Sequence, residues 1–507
     1  MHYKNKKGFD NNKYLYEQSQ HILNRSENSG GKLYLEFGGK LVFDYHAARV
    51  LPGFDPNAKI RLLQKLQDKA DIVLCVYSGD IEQKKIRADF GITYDVDILR
   101  LIDDLRSWGL DVVAVVITRF NHQPVVQQFQ NRLKRRGIQT YTHQEISGYP
   151  TNFDIIASEK GFGASPYIKT TKPIVVVAAP GPGSGKMATC LSQLYHDYKK
   201  GIKSTYAKFE TFPIWNLPLK HPVNLAYEAA TADIRDFNMV DSFHLEAYGE
   251  KAVNYNRDVE AFPVLKRILE HITGKASVYR SPTDMGVNRA GFAITDDSVV
   301  REAAAQEIIR RSFRYQCEYA MGFTHKEAVT RVNLLMDEVG ARPYDRKVVK
   351  PAREAAEEAK HKHKGRDGIY CGAAIELNDG TIIRGCNSPL MHASSSLILN
   401  AIKKLAMIPD QIHLLNKNVL DSISDLKDKT LNQKNPSLDL GETLIALSVS
   451  ATVNPAAALA VEQLGKLHDS EMHITHIPTP GDEAGLKRLG INVTSEPHFP
   501  TKDLFIT

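Results

Sequence analysis

Four short apolar runs limit what this chain can fold into. Residues 71–77 (DIVLCVY), 111–118 (DVVAVVIT), 154–158 (DIIAS) and 173–179 (PIVVVAA) are apolar almost throughout, with no polar alternation. A strand of that kind has to be covered on both faces. Helical stretches at 95–108 and 124–136 lie between the runs. Strands alternating with helices predict an α/β fold built on a parallel sheet. Ahead of them, 32–37 (KLYLEF), Gly38-Gly39 and 41–44 suggest a hairpin.

At 507 residues the chain exceeds one ordinary core, since domains of about 100–200 residues are usual. The stretch 201–288 continues the α/β unit with short strands and long loops, and 297–321 and 324–339 read as helices. Residues 342–366 (RPYDRKVVKPAREAAEEAKHKHKGR) hold two prolines, many basic residues and no apolar stripe, and so read as the main boundary. The expected organisation is an α/β domain over 1–322, in two lobes near 1–165 and 166–322, then a helical connector over 323–366. A smaller C-terminal α/β domain follows over 367–507, with strand, turn, strand and helix at its start. The HKHK run at 361–364 is expected to be a solvated face, because nothing supplies further metal ligands at fixed spacing.

The net charge of +6, from 65 basic and 59 acidic residues, is too small to argue for nucleic acid. Five scattered cysteines form no CxxC pair and read as reduced thiols. The start, MHYKNKKGFDNNKYL, has lysines but no apolar stretch after them, and no run approaches the roughly 20 residues that cross a bilayer. A cytoplasmic protein without a membrane partner is expected.

The clearest chemical signal is PIVVVAAPGPGSGKMATCLSQLYHDY, in which a buried strand runs into a glycine loop and then an amphipathic helix. Gly181, Gly183, Ser184, Gly185 and Lys186 are the candidate phosphate-binding residues. Glycines let successive N–H groups converge on an anion, the helix start adds its dipole, and Lys186 adds a charge. The segment departs from the GxxxxGK[ST] pattern twice: Pro180 stands where the first glycine belongs, and Met187 replaces the hydroxyl that normally ligates Mg²⁺. Thr189 lies about 200° around the helix from position 187 and should face elsewhere. The ligand expected is ATP or another nucleotide, and Mg²⁺, if used, takes its ligands elsewhere. The rule that parallel sheets bind ligands beyond their carboxyl ends makes Glu210, His221 and Asp284 the candidate catalytic residues. For each of them a turn or loop hydrogen bond is the competing reading.

The segments GGKLYLEFGGKL, DYHAARVLPGFDP, AAPGPGSGKMATCLSQLYH, FETFPIWNLPLKHPVNLAYEAATAD and SPTDMGVN resemble the DUF1846 family, bacterial chains of about this length. The resemblance covers nearly the whole chain, includes Met187 and implies no reaction. A second resemblance concerns residues 372–406, similar in layout to the hairpin and first helix of the cytidine deaminase fold. Where that family has its zinc and proton-transfer motifs, this chain reads Leu397-Ile398-Leu399-Asn400-Ala401 and Asn454-Pro455-Ala456-Ala457-Ala458. A degenerate domain without zinc, serving binding or homo-oligomerisation, is what the resemblance implies.

Three functions stay open at this point. One is NTP-dependent phosphoryl transfer or hydrolysis, the second a non-catalytic sensor of a nucleotide or other phosphorylated metabolite, and the third a sugar-nucleotide or phosphosugar transferase.

Overall fold

The computed structural model describes residues 6–87, 91–433 and 436–501. They form two compact units. The first runs to Thr231 and again over Asp236–Ala304, and the second comprises Ala232–Arg235 and the chain from Ala305 on.

The first unit is built on seven strands: β1 (Lys32–Phe37), β2 (Ala70–Tyr77), β3 (Val112–Thr118), β4 (Gln139–Thr142), β5 (Ile174–Ala178), β6 (Ser204–Phe209) and β7 (Gly286–Val287). Their order across the sheet is β7-β6-β1-β5-β2-β3-β4, and every pair is parallel. All five residues of β5 are buried, as its wholly apolar sequence requires of an inner strand covered twice.

The chain moves one way from β1 through β2 and β3 to β4, returns to β5 between β1 and β2, and then continues the other way through β6 to β7. Right-handed crossovers in opposite directions put their connections on opposite faces. Val175 and Val177 of β5 pack with Cys190, Leu191 and Leu194 of helix Lys186–Lys199 and with Phe262, Leu265 and Ile268 of helix Asn256–Thr273. Both helices belong to the returning direction. At β1 and β5 neighbouring strands therefore send their connections apart, which opens a crevice beyond their carboxyl ends.

The expected hairpin at 32–44 does not form. β1 already has β5 on one edge and β6 on the other, so residues 41–44 have no edge left to pair with. Leu41 and Val42 are buried in a loop instead, and Asn57 Oδ1 accepts from the Phe43 N–H at 3.2 Å. Residues 154–158 are not a strand either. Asn152 Oδ1 accepts from Ile155 N at 3.1 Å and caps a short helix, Phe153–Ile156, whose Ile156 joins the core. The strand in this region is β4, QTYT, an edge strand too exposed to show an apolar run.

The second unit carries β8 (Gly372–Glu376), β9 (Ile382–Cys386), β10 (Glu471–Ile474) and β11 (Asn492–Ser495), ordered β9-β8-β10-β11. β8 is antiparallel to both its neighbours and β10 is parallel to β11. Leu397, Ile398 and Ile402 of helix Ala393–Leu405 and Leu447 of helix Leu440–Ala451 fill its core. The division between units falls inside helix Asp297–Ala320, ahead of the connector expected at 323–366. That connector is no loose linker, since helix Val349–His361 buries Val349, Ala352, Ala355 and Ala359. A Cβ on Gly372 would lie 2.2 Å from Ala352 O, so glycine there lets helix and strand touch through backbone. An alanine stripe of this kind carries too little hydrophobicity to stand out in a charged sequence.

Candidate functional site

At the carboxyl end of β5 the loop turns through Gly181, Pro182, Gly183, Ser184 and Gly185 into helix Lys186–Lys199. Gly183 and Gly185 have φ of +70° and +82°, whereas Pro182 and Ser184 stay on the negative side. Alternation of this kind aims successive N–H groups into one concavity. The carbonyls are held the other way: Ser184 Oγ donates to Gly181 O at 2.5 Å, Arg119 Nη2 to Gly183 O at 2.6 Å and Thr118 Oγ1 to Ser184 O at 2.9 Å. Among the described residues no backbone carbonyl accepts from the N–H groups of Gly183, Ser184 or Gly185.

Gly185 is required by packing as well as by φ, and Gly181 is closely packed. A Cβ on Gly185 would lie 2.8 Å from Thr118 Cγ2, and one on Gly181 would lie 2.7 Å from the Tyr94 hydroxyl. Thr118 ends β3, and Arg119 follows it with φ of +50° while its guanidinium lies 3.5 Å over the Tyr77 ring at the end of β2. Three strand ends thus shape one loop. Among the described residues Lys186 has no carboxylate in ion-pair contact, so loop and rim present cations without local neutralisation.

Beneath the helix start, Thr189 is fully buried and Cys75 Sγ donates to its Oγ1 at 3.5 Å, so Thr189 is turned away from the loop. Burial pushes the Cys75 thiol up to about 12, which leaves it inert.

On the other side of β1 the strand end packs closely against the end of β6. Gly38 N–H donates to Phe209 O at 2.8 Å, and a Cβ on Gly38 would meet that oxygen at 3.0 Å and Glu210 Cγ at 3.3 Å. Lys59, itself buried, supports this floor by donating to Gly38 O and Asp44 Oδ2, both at 3.1 Å. Glu210 follows β6, two strand spacings or about 10 Å from β5. Its Oε1 lies 2.7 Å from Lys208 Nζ, which also holds Asp258 Oδ2 at 2.5 Å. Burial pushes Glu210 up to about 7, opposed by the Lys208 ammonium and reinforced by the Asp258 carboxylate. Near neutral pH this carboxyl can both take and give a proton.

The family model for DUF1846, a domain of unknown function, matches residues 7–340 with its N-terminal part and 344–505 with its C-terminal part. The chain belongs to the DUF1846 family. UPF0371 proteins of Clostridium botulinum strains Alaska E43 and Langeland are each 57% identical over 499 residues, covering 98% of this chain and 99% of the relative. A UPF0371 protein of Clostridium tetani is 56% identical over 498 residues at the same coverage.

Within this DUF1846 chain the three carboxylate and imidazole candidates go to different places. Only Glu210 stands at the crevice. His221 is buried at the start of helix Pro222–Ala230, where Nδ1 accepts from Val223 N at 3.2 Å and Nε2 therefore donates to Asp297 at 2.8 Å. Burial outweighs that bond and holds its pKa below the ordinary value, so it is a neutral cap. Asp284 precedes β7, on the amino side, and its Oδ2 accepts from Tyr248 at 2.7 Å and from Arg280 N at 3.0 Å. The loop between them is stapled by Asn224 to both backbone groups of Ile214 and by Asn288 to Thr211 O and Pro213 O.

Sequence reasoning missed Thr118, Arg119, Tyr94, Gly38 and Lys59. The first two directly end a strand that was read correctly, and the carboxyl-end rule applied to 111–118 would have found them. Gly38 was hidden by being read as a hairpin turn.

Glu210 gives a pH prediction. Its folded pKa is raised, so its contribution to stability is complete below the unfolded value of 4.5 and is lost as pH rises through about 7. Glu210→Gln is expected to flatten the fall in melting temperature between about pH 5 and 8. A mutant profile parallel to the parent's would show that Glu210 titrates normally.

Proposed function

We propose that this chain binds a phosphorylated small molecule, with a phosphate group of a nucleotide in the loop Gly181–Lys186. The observation that carries the reading is the opposed orientation of the loop's backbone. Side chains of Ser184, Arg119 and Thr118 occupy the carbonyls, and the N–H groups are left facing an anion's position. Lys186 and Arg119 supply charge at the rim, and a Cβ on Gly183 would meet nothing within 4 Å, so the loop faces open space there.

Two outcomes of binding follow from different residues. Glu210 favours turnover, because a carboxyl poised near neutrality can accept the proton of an attacking hydroxyl or water. Met187 favours a sensor, because a thioether does not ligate Mg²⁺ in the place of a hydroxyl. Thermal shift with ATP, ADP, GTP and phosphosugars tests binding, and release of inorganic phosphate from those that bind tests turnover. Binding without release selects the sensor, and no shift with any of them sinks the phosphate site. For the second unit we read a degenerate relative of the cytidine deaminase fold. Its support is the strand order β9-β8-β10-β11 with β8 antiparallel to its neighbours.

A further inference from the structure

β2 ends in Tyr77, and Ser78-Gly79 open the short helix Ser78–Glu82. These three residues grip Arg119, at the end of the neighbouring strand, from two sides. The Arg119 guanidinium lies 3.5 Å over the Tyr77 ring, and Ser78 Oγ donates to Arg119 O at 2.7 Å. Gly79 gives the ring its place, since a Cβ there would lie 2.5 Å from Tyr77 Cζ, 2.6 Å from Cε1 and 2.7 Å from the hydroxyl oxygen. Held in this way, Arg119 keeps φ of +50°, a left-handed conformation that a residue with a Cβ resists. Its Nη2 then donates to Gly183 O at 2.6 Å. Arg119 is exposed, yet among the described residues no carboxylate forms an ion pair with it. Its side chain is ordered on a ring and a backbone carbonyl instead, which costs rotamer entropy that a free surface charge keeps.

We propose, resting on the phosphate reading of the glycine loop, that Tyr77, Ser78 and Gly79 are positioning residues for that loop, acting through Arg119 on the Gly183 carbonyl. A trans peptide is planar, with its C=O and N–H pointing opposite ways. Holding Gly183 O toward Arg119 therefore aims the Ser184 N–H away from Arg119. Thr118, the residue before Arg119, fixes the next peptide in the same manner through Ser184 O at 2.9 Å. Glycine at 183 has no Cβ to resist rotation of its peptide plane, so the clamp has to come from outside the loop. Only molecules with these N–H groups turned toward the anion bind it, and apparent affinity falls with their fraction. A guanidinium suits the task because one planar group stacks and donates at once, which an ammonium cannot copy.

Calorimetry and stopped-flow mixing of the full chain with ATP, ADP, GTP and glucose 6-phosphate are the test. Tyr77→Leu removes the ring and leaves every loop residue in place. It is expected to weaken binding about two- to fivefold, the worth of an exposed stacked cation. The loss should lie in slower association with unchanged dissociation, because fewer free molecules hold the loop ready. Gly79→Ala, which drives the ring from its place, is expected to do the same, and Tyr77→Phe to bind as the parent does. Arg119→Lys keeps the charge without the planar fork and is expected to bind nearer to Arg119→Ala than to the parent. If none of the four compounds binds the parent, the phosphate reading falls and the positioning role falls with it. If the parent binds but Tyr77→Leu and Gly79→Ala associate at its rate, or Arg119→Lys binds as tightly, the loop stands as a phosphate site and the positioning role is overturned.

Discussion

Lys186→Ala is expected to weaken binding of the phosphorylated ligand tenfold to hundredfold while leaving the unliganded protein as stable as the parent. The side chain ends in a partly exposed loop and makes no ion pair among the described residues, so its loss without ligand should change stability by no more than about 0.5 kcal/mol. With ligand it adds a charge-assisted bond of about 1.5–3 kcal/mol. A ligand at about 100 times its dissociation constant stabilises the parent by about 2.7 kcal/mol. At that same concentration the variant should keep only about 0.4–1.4 kcal/mol. Thermal or urea unfolding with and without ligand reads the difference. Equal stabilisation of variant and parent would make the glycine loop a packing turn. Met187→Ser is the companion measurement: if magnesium sits by the loop, the serine hydroxyl should strengthen metal-dependent binding.

Asp482→Ala is expected to destabilise the second unit by about 3–5 kcal/mol, the usual cost of removing one partner from a buried charged network. Asp482 is 1% exposed and serves three helix starts at once. It accepts from His392 Nδ1 at 2.8 Å and Ser394 Oγ at 2.5 Å at the start of helix Ala393–Leu405. It accepts from Leu440 N at 2.9 Å, the first residue of helix Leu440–Ala451, and from Thr479 Oγ1 at 2.9 Å, the cap of its own helix Pro480–Arg488. Burial alone would raise its pKa, but the bonds from His392, Ser394 and Thr479 hold it below 3.8. A depressed carboxyl stabilises the fold above its unfolded pKa, and that contribution is lost as pH falls through the folded value. Urea unfolding at pH 7 and in acid should therefore show the parent losing stability that Asp482→Asn no longer has to lose. If Asp482→Ala unfolds at the parent's midpoint, the three helices are held by their apolar cores alone.

The inner strands were legible because their composition is itself the physical requirement. β2, β3 and β5 are covered on both faces and must be apolar at nearly every position, which a sequence displays directly. β4 was not legible, since an edge strand can be QTYT and still pair, and 154–158 misled because three apolar residues fit a capped turn as well as a strand. Helix Val349–His361 was lost for a related reason: alanines that fit closely against glycine bury little area yet pack well.

The loop Gly181–Lys186 could be read from the chain alone, because its chemistry is local. Positive φ, N–H direction and a helix start are properties of consecutive residues. Its neighbours could not be read that way. Thr118 and Arg119 come to Gly183 and Ser184 from some 65 residues away, and Glu210 meets Gly38 only because β1 inserts between β5 and β6. His221 and Asp284 looked equivalent to Glu210 as polar residues in loops. Tertiary contacts separated them: Glu210 follows β6 beside Gly38, His221 caps a helix, and Asp284 lies ahead of β7, taken up by Tyr248 and the Arg280 N–H. The sequence by itself determined a parallel α/β sheet with a glycine-rich turn from strand into helix, since burial and backbone conformation are set by neighbours along the chain. Which side chains share the crevice with that loop was decided only by the tertiary fold, because a sheet joins strands through hydrogen bonds that any sequence can make, and their order leaves no mark in the residues that end them.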